Sequence, residues 1–176
     1  YSGLSDVYKG LILAGLDQLL AEAQIIISSV QSVIHGSTLV TYAVIERRGA
    51  TVGMLITNGL IDVLDITLVQ RYDLYQLDIR YPTPLVPRNQ RREVNERSRH
   101  DGSMEIELNL DEVRRMVDEL LSRHQIEALA VCLLQSFINP DHENKIRELI
   151  DTHYPGLFLS TSASVLPYTR KYVLWT

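Results

Sequence analysis

Two short apolar runs, Val30–Ile34 and Val52–Ile56, each stop at a cluster of small hydroxylated or glycine residues. After each cluster the spacing turns helical, over Leu39–Arg48 and over Leu60–Ile66. No other feature constrains the fold as much. A strand that feeds a helix through a Gly/Ser/Thr turn leaves unpaired backbone N–H groups at the helix start, a ready place for an anion or polar ligand. Two such turns in succession imply parallel strands with both turns at one edge of the sheet. In open α/β sheets that carboxyl edge is where ligands bind.

The rest of the chain extends this pattern. Leu4, Val7, Tyr8, Leu11, Ile12, Leu16, Leu19, Leu20 and Ala23 follow the i, i+3, i+4, i+7 spacing of an amphipathic helix, with Ser2 or Ser5 as its cap. A second helix is expected from about Thr38 to Arg48, closed by Gly49. Pro82, Pro84 and Pro87 exclude helix or central strand over the end of 72–87. Arg91–Ser98 and Met104–Leu108 flank Asp101-Gly102, a two-residue hairpin signal, so residues 88–108 read as an antiparallel excursion. Asn109 and Glu112 form a capping box before a helix carrying Leu110, Val113, Met116, Val117, Leu120 and Leu121. Ala128–Leu134 is an uninterrupted apolar strand, hence central. Asn139-Pro140-Asp141 opens a helix that runs to about His153, and Leu157–Leu159 forms a last strand. The expectation is one α/β domain over residues 1–176, with a mostly parallel sheet of Val30–Ile34, Thr51–Thr57, Ala128–Leu134 and Leu157–Leu159, flanking helices and an inserted β-hairpin.

Composition removes several classes. A net charge of −5 argues against nucleic-acid binding, which leans on a basic face. The arginines at 88, 91, 92, 97 and 99 are interleaved with Glu93 and Glu96 and read as a solvated hairpin face. No apolar run approaches the ~20 residues of a membrane helix. The single cysteine, Cys132, lies inside an apolar strand and reads as a small buried hydrophobe; the compartment expected is the cytoplasm. With no initiator Met and no signal peptide, the chain is expected to be a fragment or a processed product.

Four strand ends carry polar clusters: His35-Gly36-Ser37-Thr38, Thr57-Asn58-Gly59, Gln135-Ser136 and Ser160-Thr161-Ser162. His35 is the candidate catalytic group, able to donate to a carbonyl or move a proton; a histidine tied to a backbone carbonyl is the alternative. Gly36, Ser37, Thr38, Thr57, Asn58 and Gly59 are candidates for contact with substrate or phosphate, although capping and turn formation also suit them. Asp62 and Asp65 sit where a carboxylate favours a helix start. No His-x-x-x-His or Cys-x-x-Cys element supports a metal site.

The ordered set His35-Gly36-Ser37-Thr38, Glu46-Arg47-Arg48-Gly49-Ala50, Ile56-Thr57 with Gly59-Leu60 and Asp62-Val63-Leu64-Asp65-Ile66 resembles the hydantoinase/oxoprolinase family. The likeness continues through Asp73-Leu74-Tyr75, Pro84-Leu85-Val86-Pro87-Arg88, Glu96-Arg97, Asp101-Gly102, Val131-Cys132-Leu133-Leu134-Gln135-Ser136, Asn139-Pro140 and Val165-Leu166-Pro167. The resemblance implies a ribonuclease H-like, actin-like ATPase type of domain that uses ATP and Mg²⁺. It also implies a second catalytic domain or subunit as partner, in an oligomer, and a cyclic amide of the hydantoin or 5-oxoproline type as substrate. A related branch forms subunits of ATP-dependent ketone carboxylases. In both, phosphorylating an amide or enolate oxygen activates it.

The sequence departs from that pattern at Tyr42, where the family has Asn, at Leu60-Ile61, which replace an aromatic–Arg pair, and at Leu68. After Pro167 the family's acidic tail becomes Tyr-Thr-Arg-Lys-Tyr-Val-Leu-Trp. An Asp-x-Gly-Gly-Thr-Phe-Thr-Asp phosphate motif is expected ahead of Tyr1 and is not among these residues. These losses favour a third reading, a degenerate folding or assembly module, and imply that these residues alone neither bind ATP tightly nor turn over a cyclic amide.

Overall fold

The computed structural model describes residues 2–32, 39–66 and 83–167. The chain divides into two compact units, Tyr1–Ala43 and Val44–Thr176.

The first unit carries helix α1, Ser2–Glu22. Gln24 adopts a left-handed conformation (φ 54°) and ends it, with Ile25 N–H donating back to the Leu20 carbonyl. A single 3₁₀ turn, Ile27–Ser29, follows. Strand was expected over Val30–Ile34, but its described residues, 30–32, have no strand pairing. The reason is local: Ser29 Oγ donates to the Ile26 carbonyl (2.7 Å) and Val30 N–H to Ile27 (3.1 Å), so the backbone is already turned at the strand's start. Helix α2, Leu39–Glu46, spans the boundary between the units and stops at Arg47 (φ 52°), ahead of the expected Gly49.

The second unit is built on β1, Val52–Thr57, followed by the one-turn helix α3, Val63–Ile66. Next come β2, Arg91–Val94; β3, Arg97–Ser98; and β4, Met104–Ile106. Then follow α4, Leu110–His124; β5, Ala128–Cys132; α5, Asp141–His153; β6, Phe158–Thr161; and α6, Ser162–Val165. The main sheet has the order β2-β1-β5-β6, and every pairing in it is parallel. β5 is therefore an interior strand, as the apolar run predicts, but it ends at Cys132, two residues before the expected Leu134. Arg91–Val94 does not form a hairpin arm: it pairs in parallel with Met54–Thr57 as an edge of the sheet. Only Arg97–Ser98 and Met104–Ile106 make the antiparallel hairpin. Its connection is longer than two residues. Gly102 N–H bonds the Arg99 carbonyl, Arg99 N–H bonds Ser103, and Gly102 supplies the positive φ (85°) that closes the turn.

Both faces of the sheet carry apolar layers, as parallel sheets require. On one face Leu55, Leu129 and Val131 pack with Val113, Val117 and Leu120 of α4 and Ile146 and Ile150 of α5. On the other, Met54, Ile56 and Cys132 pack with Leu64 and Val86. Gly53 lets the first layer close: a Cβ there would stand 2.9 Å from Ile126 Cδ1. Asn109 caps α4 by accepting from Asp111 and Glu112 N–H, and Asn139, one residue ahead of Pro140, accepts from Asp141 N–H (3.0 Å).

Candidate functional site

The carboxyl ends of the parallel strands bring together Thr57–Gly59, Asn95–Glu96, Leu133–Ser136 and Thr161–Ser162. Two buried carboxylates organise this edge. Glu96, 1% exposed, accepts from the Thr57 hydroxyl with one oxygen and from His142 Nδ1 (2.8 Å) with the other. Thr57 Oγ1 in turn accepts from Leu134 N–H at 2.7 Å, which ties the end of β1 to the end of β5. Glu143, also 1% exposed, accepts from Leu133 N–H (3.0 Å), the Ser162 hydroxyl (2.6 Å) and Ala163 N–H (2.9 Å). Ser162 Oγ also lies 2.9 Å from Ser136 Oγ.

Of the residues expected at the site, His35, Gly36, Ser37 and Thr38 lie outside the described residues. Thr57 is fully buried and its hydroxyl proton is directed to Glu96. Asn58 and Gly59 are exposed at the turn after β1. Gly59 has φ 84°, and Leu60 N–H bonds the Thr57 carbonyl, so glycine is required by the turn itself. The N–H groups of this turn already hold an anion. Gly59 N–H and Ile61 N–H donate to Glu93 Oε1 at 2.8 and 3.4 Å. A phosphate at this turn competes with a tethered carboxylate.

The arginines are sorted by burial, not spread over one solvated face. Arg91 is 1% exposed, bonds the Val86 and Ile61 carbonyls and pairs with Asp65. Arg88 pairs with Asp62 at 2.6 Å, and that hydrogen bond holds the Asp62 carboxyl below the ordinary carboxylate range. These pairs answer for Asp62 and Asp65 more directly than a helix dipole does. Cys132 is buried, and burial pushes its thiol well above the ordinary range, the nearby Glu143 charge adding to the effect. Among the described residues no group of three or more His, Cys, Asp or Glu converges to hold a metal ion. Nor is any described helix long and apolar enough to cross a membrane.

Sequence reasoning missed Glu96, His142 and Glu143. One signal was available for the last two. Side chains in the first turn of a helix entered from a parallel strand lie beside that strand's carboxyl end, so His142-Glu143 after β5 had reach to the edge. A separate groove of about 260 Å³, lined by Leu121, Ile126, Tyr154 and Leu157 among others, opens at the opposite end of β5 and β6.

A model of the hydantoinase/oxoprolinase N-terminal region matches residues 5–154. The alpha subunit of caprolactamase from Pseudomonas jessenii is 32% identical over 149 residues, covering 84% of this chain and 21% of that protein. The crystal structure of the ATP-dependent caprolactamase from the same organism superposes with a TM-score of 0.79 at 30% identity, over 93% of this chain and 24% of that one. A nucleotide-free acetone carboxylase structure is similar at a TM-score of 0.63 and 26% identity, over 74% of this chain and 20% of that one. The chain thus spans between a fifth and a quarter of the length of these proteins.

Proposed function

The chain belongs to the hydantoinase/oxoprolinase family, and from that premise we propose that it serves an ATP-dependent amidohydrolase that opens cyclic amides of the hydantoin or 5-oxoproline type. The observation that carries this reading is the likeness to an ATP-dependent caprolactamase over 93% of the chain. Caprolactam is itself a cyclic amide, so the family's known chemistry there is of the proposed class. The partner in this reading is a second catalytic domain or subunit of the same family, and the compartment is the cytoplasm.

The described strand ends do not by themselves fit a nucleotide. Gly59 and Ile61 N–H face Glu93, Leu133 and Ala163 N–H face Glu143, and the Thr57 proton faces Glu96. In this reading ATP and Mg²⁺ rely on the His35-Gly36-Ser37-Thr38 turn and on the partner, and His35 is the group offered to the substrate carbonyl. Asn58 is the exposed side chain on the β1 turn left to meet a ligand.

Two other readings have an observation each. Likeness to acetone carboxylase favours a subunit of an ATP-dependent ketone carboxylase. The internal carboxylates on the strand-end N–H groups favour a folding or assembly module. Two measurements separate the three. The first is calorimetric titration of the 176-residue chain with Mg²⁺–ATP, where binding weaker than micromolar is expected. Loss of two hydrogen bonds to charged groups, ~1.5–3 kcal/mol each, shifts a micromolar site toward millimolar. The second is ATP hydrolysis by the chain co-purified with its partner subunit or domain. Stimulation by hydantoin, 5-oxoproline or caprolactam supports the amidohydrolase, stimulation by a ketone with bicarbonate supports the carboxylase, and neither leaves the module standing.

A further inference from the structure

One guanidinium at the carboxyl edge is held without a carboxylate. Arg88, Arg91, Arg92, Arg99 and Arg123 each pair with an Asp or Glu. Arg147, half-buried on α5, pairs with none among the described residues. Its Nη2 donates instead to Thr161 Oγ1 (2.8 Å), at the end of β6, and to Ser164 Oγ (3.3 Å) in α6. Those hydroxyls send their own protons elsewhere: Thr161 to Ser164 Oγ and Ser164 to the Thr161 carbonyl, both at 2.9 Å. Their oxygens therefore accept from the guanidinium and fix its place without neutralising it.

The rest of that guanidinium is available. Nε and Nη1 make no hydrogen bond among the described residues, where His142 Nε2 is the one buried side-chain nitrogen or oxygen lacking a partner. The unbonded Arg147 nitrogens therefore reach solvent. A positive charge set by neutral groups, with donors to spare at the edge where such sheets bind ligands, is suited to an oxyanion. Its neighbour limits the charge of that anion. Glu143, one helical turn before Arg147, already places a carboxylate at this edge, held by Leu133 N–H, Ala163 N–H and the Ser162 hydroxyl. A singly charged carboxylate suits that field better than a phosphate dianion.

We propose that Arg147, set by Thr161 and Ser164, binds the carboxylate of a cyclic amide of the 5-oxoproline type and so selects it over uncharged lactams and hydantoins. The proposal rests on the cyclic-amide reading above and narrows its substrate.

NMR titration of the ¹⁵N-labelled 176-residue chain tests it with four probes. These are 5-oxoproline, 2-pyrrolidone (the same ring without the carboxylate), acetate and inorganic phosphate. 5-Oxoproline should shift Arg147 Nε–H and the Thr161 and Ser164 amides saturably, with an affinity at least about tenfold above the other three. An equal response to 2-pyrrolidone refutes the role of the carboxylate, and an equal response to acetate or phosphate refutes the role of the ring. No saturable shift refutes the site. Arg147→Gln should weaken 5-oxoproline binding by about tenfold or more, the loss of one hydrogen bond to a charged group. Arg147→Lys keeps the charge and should lose less, and Arg123→Gln should lose nothing. Unchanged affinity in Arg147→Gln overturns the proposal. ATP hydrolysis by the chain with its partner separates this from the broader reading. Stimulation by caprolactam alike in wild type and Arg147→Gln, with 5-oxoproline stimulation lost only in the variant, supports both. Stimulation by caprolactam but not by 5-oxoproline in wild type keeps the amidohydrolase and overturns the selectivity. Stimulation by no cyclic amide overturns the amidohydrolase and with it the substrate named here.

Discussion

Removing the Glu143 carboxylate tests how firmly the carboxyl edge is tied. In Glu143→Ala three donors lose their acceptor: Leu133 N–H, Ala163 N–H and the Ser162 hydroxyl. Ser162 can turn to Ser136, 2.9 Å away, so two backbone donors lose their acceptor, Leu133 N–H in the buried interior and Ala163 N–H half-buried. Each costs about 1–3 kcal/mol. Relief from burying a charge offsets part of this. The net expectation is a loss of roughly 3 kcal/mol. Glu143→Gln keeps the volume and one acceptor oxygen, which can serve Leu133 and Ser162, but turns an NH₂ group toward Ala163 N–H. Its loss should be near half that of alanine. Urea unfolding followed by circular dichroism is the assay. With a slope of about 2 kcal/mol per molar for a domain of this size, the alanine midpoint should fall by about 1.5 M with the slope unchanged. A fall under ~0.5 M, or glutamine worse than alanine, would refute the claim that this carboxylate is the edge's tie.

Val131→Asp buries an unpaired charge at a position with no exposure, between β1 and β6, and should cost several kcal/mol, seen as loss of soluble folded chain. Cys132 should resist a thiol reagent at neutral pH in the native state and react at the rate of unfolding, because burial disfavours its thiolate. Arg88→Ala should return Asp62 toward the ordinary carboxylate value in an NMR titration. Because the folded value is lowered, the stabilisation from Asp62 is present above the ordinary carboxylate range and fades as pH falls through the lowered value, so the acid limb of stability should become shallower in the variant.

The helices and the interior strand were legible because they carry strong local signals: 3.6-residue periodicity in α4, Asn caps before α4 and α5, and an apolar run in β5. The strand Arg91–Val94 was not. Its charged residues look solvated, yet Arg91 is covered by Val86, Ile61 and Asp65, and Val94 enters the core. An ion pair closed from another part of the chain cancels the polarity that sequence patterning relies on. The same cause hid the site's chemistry. Glu93 and Glu96 read as surface groups, and only the tertiary fold reveals that their partners are the strand-end N–H and hydroxyl groups. The turn residues Thr57, Asn58 and Gly59 were found where expected in the fold, while His35–Thr38 lie outside the described residues.

The parallel order β2-β1-β5-β6 also dictates a sequence of events during synthesis. β1 pairs with β2 soon after both are made, yet its other edge waits for β5, and Val52 must find Ala128. At about 5–20 residues per second, that edge stays open for roughly 4–15 s on the ribosome. Through that interval an apolar strand, Met-Leu-Ile at its centre, presents an unpaired ladder. The chain's greatest exposure to misassociation therefore falls before α4 and β5 emerge, and slowing translation across residues 95–128 should lower the yield of soluble protein more than slowing it after β6.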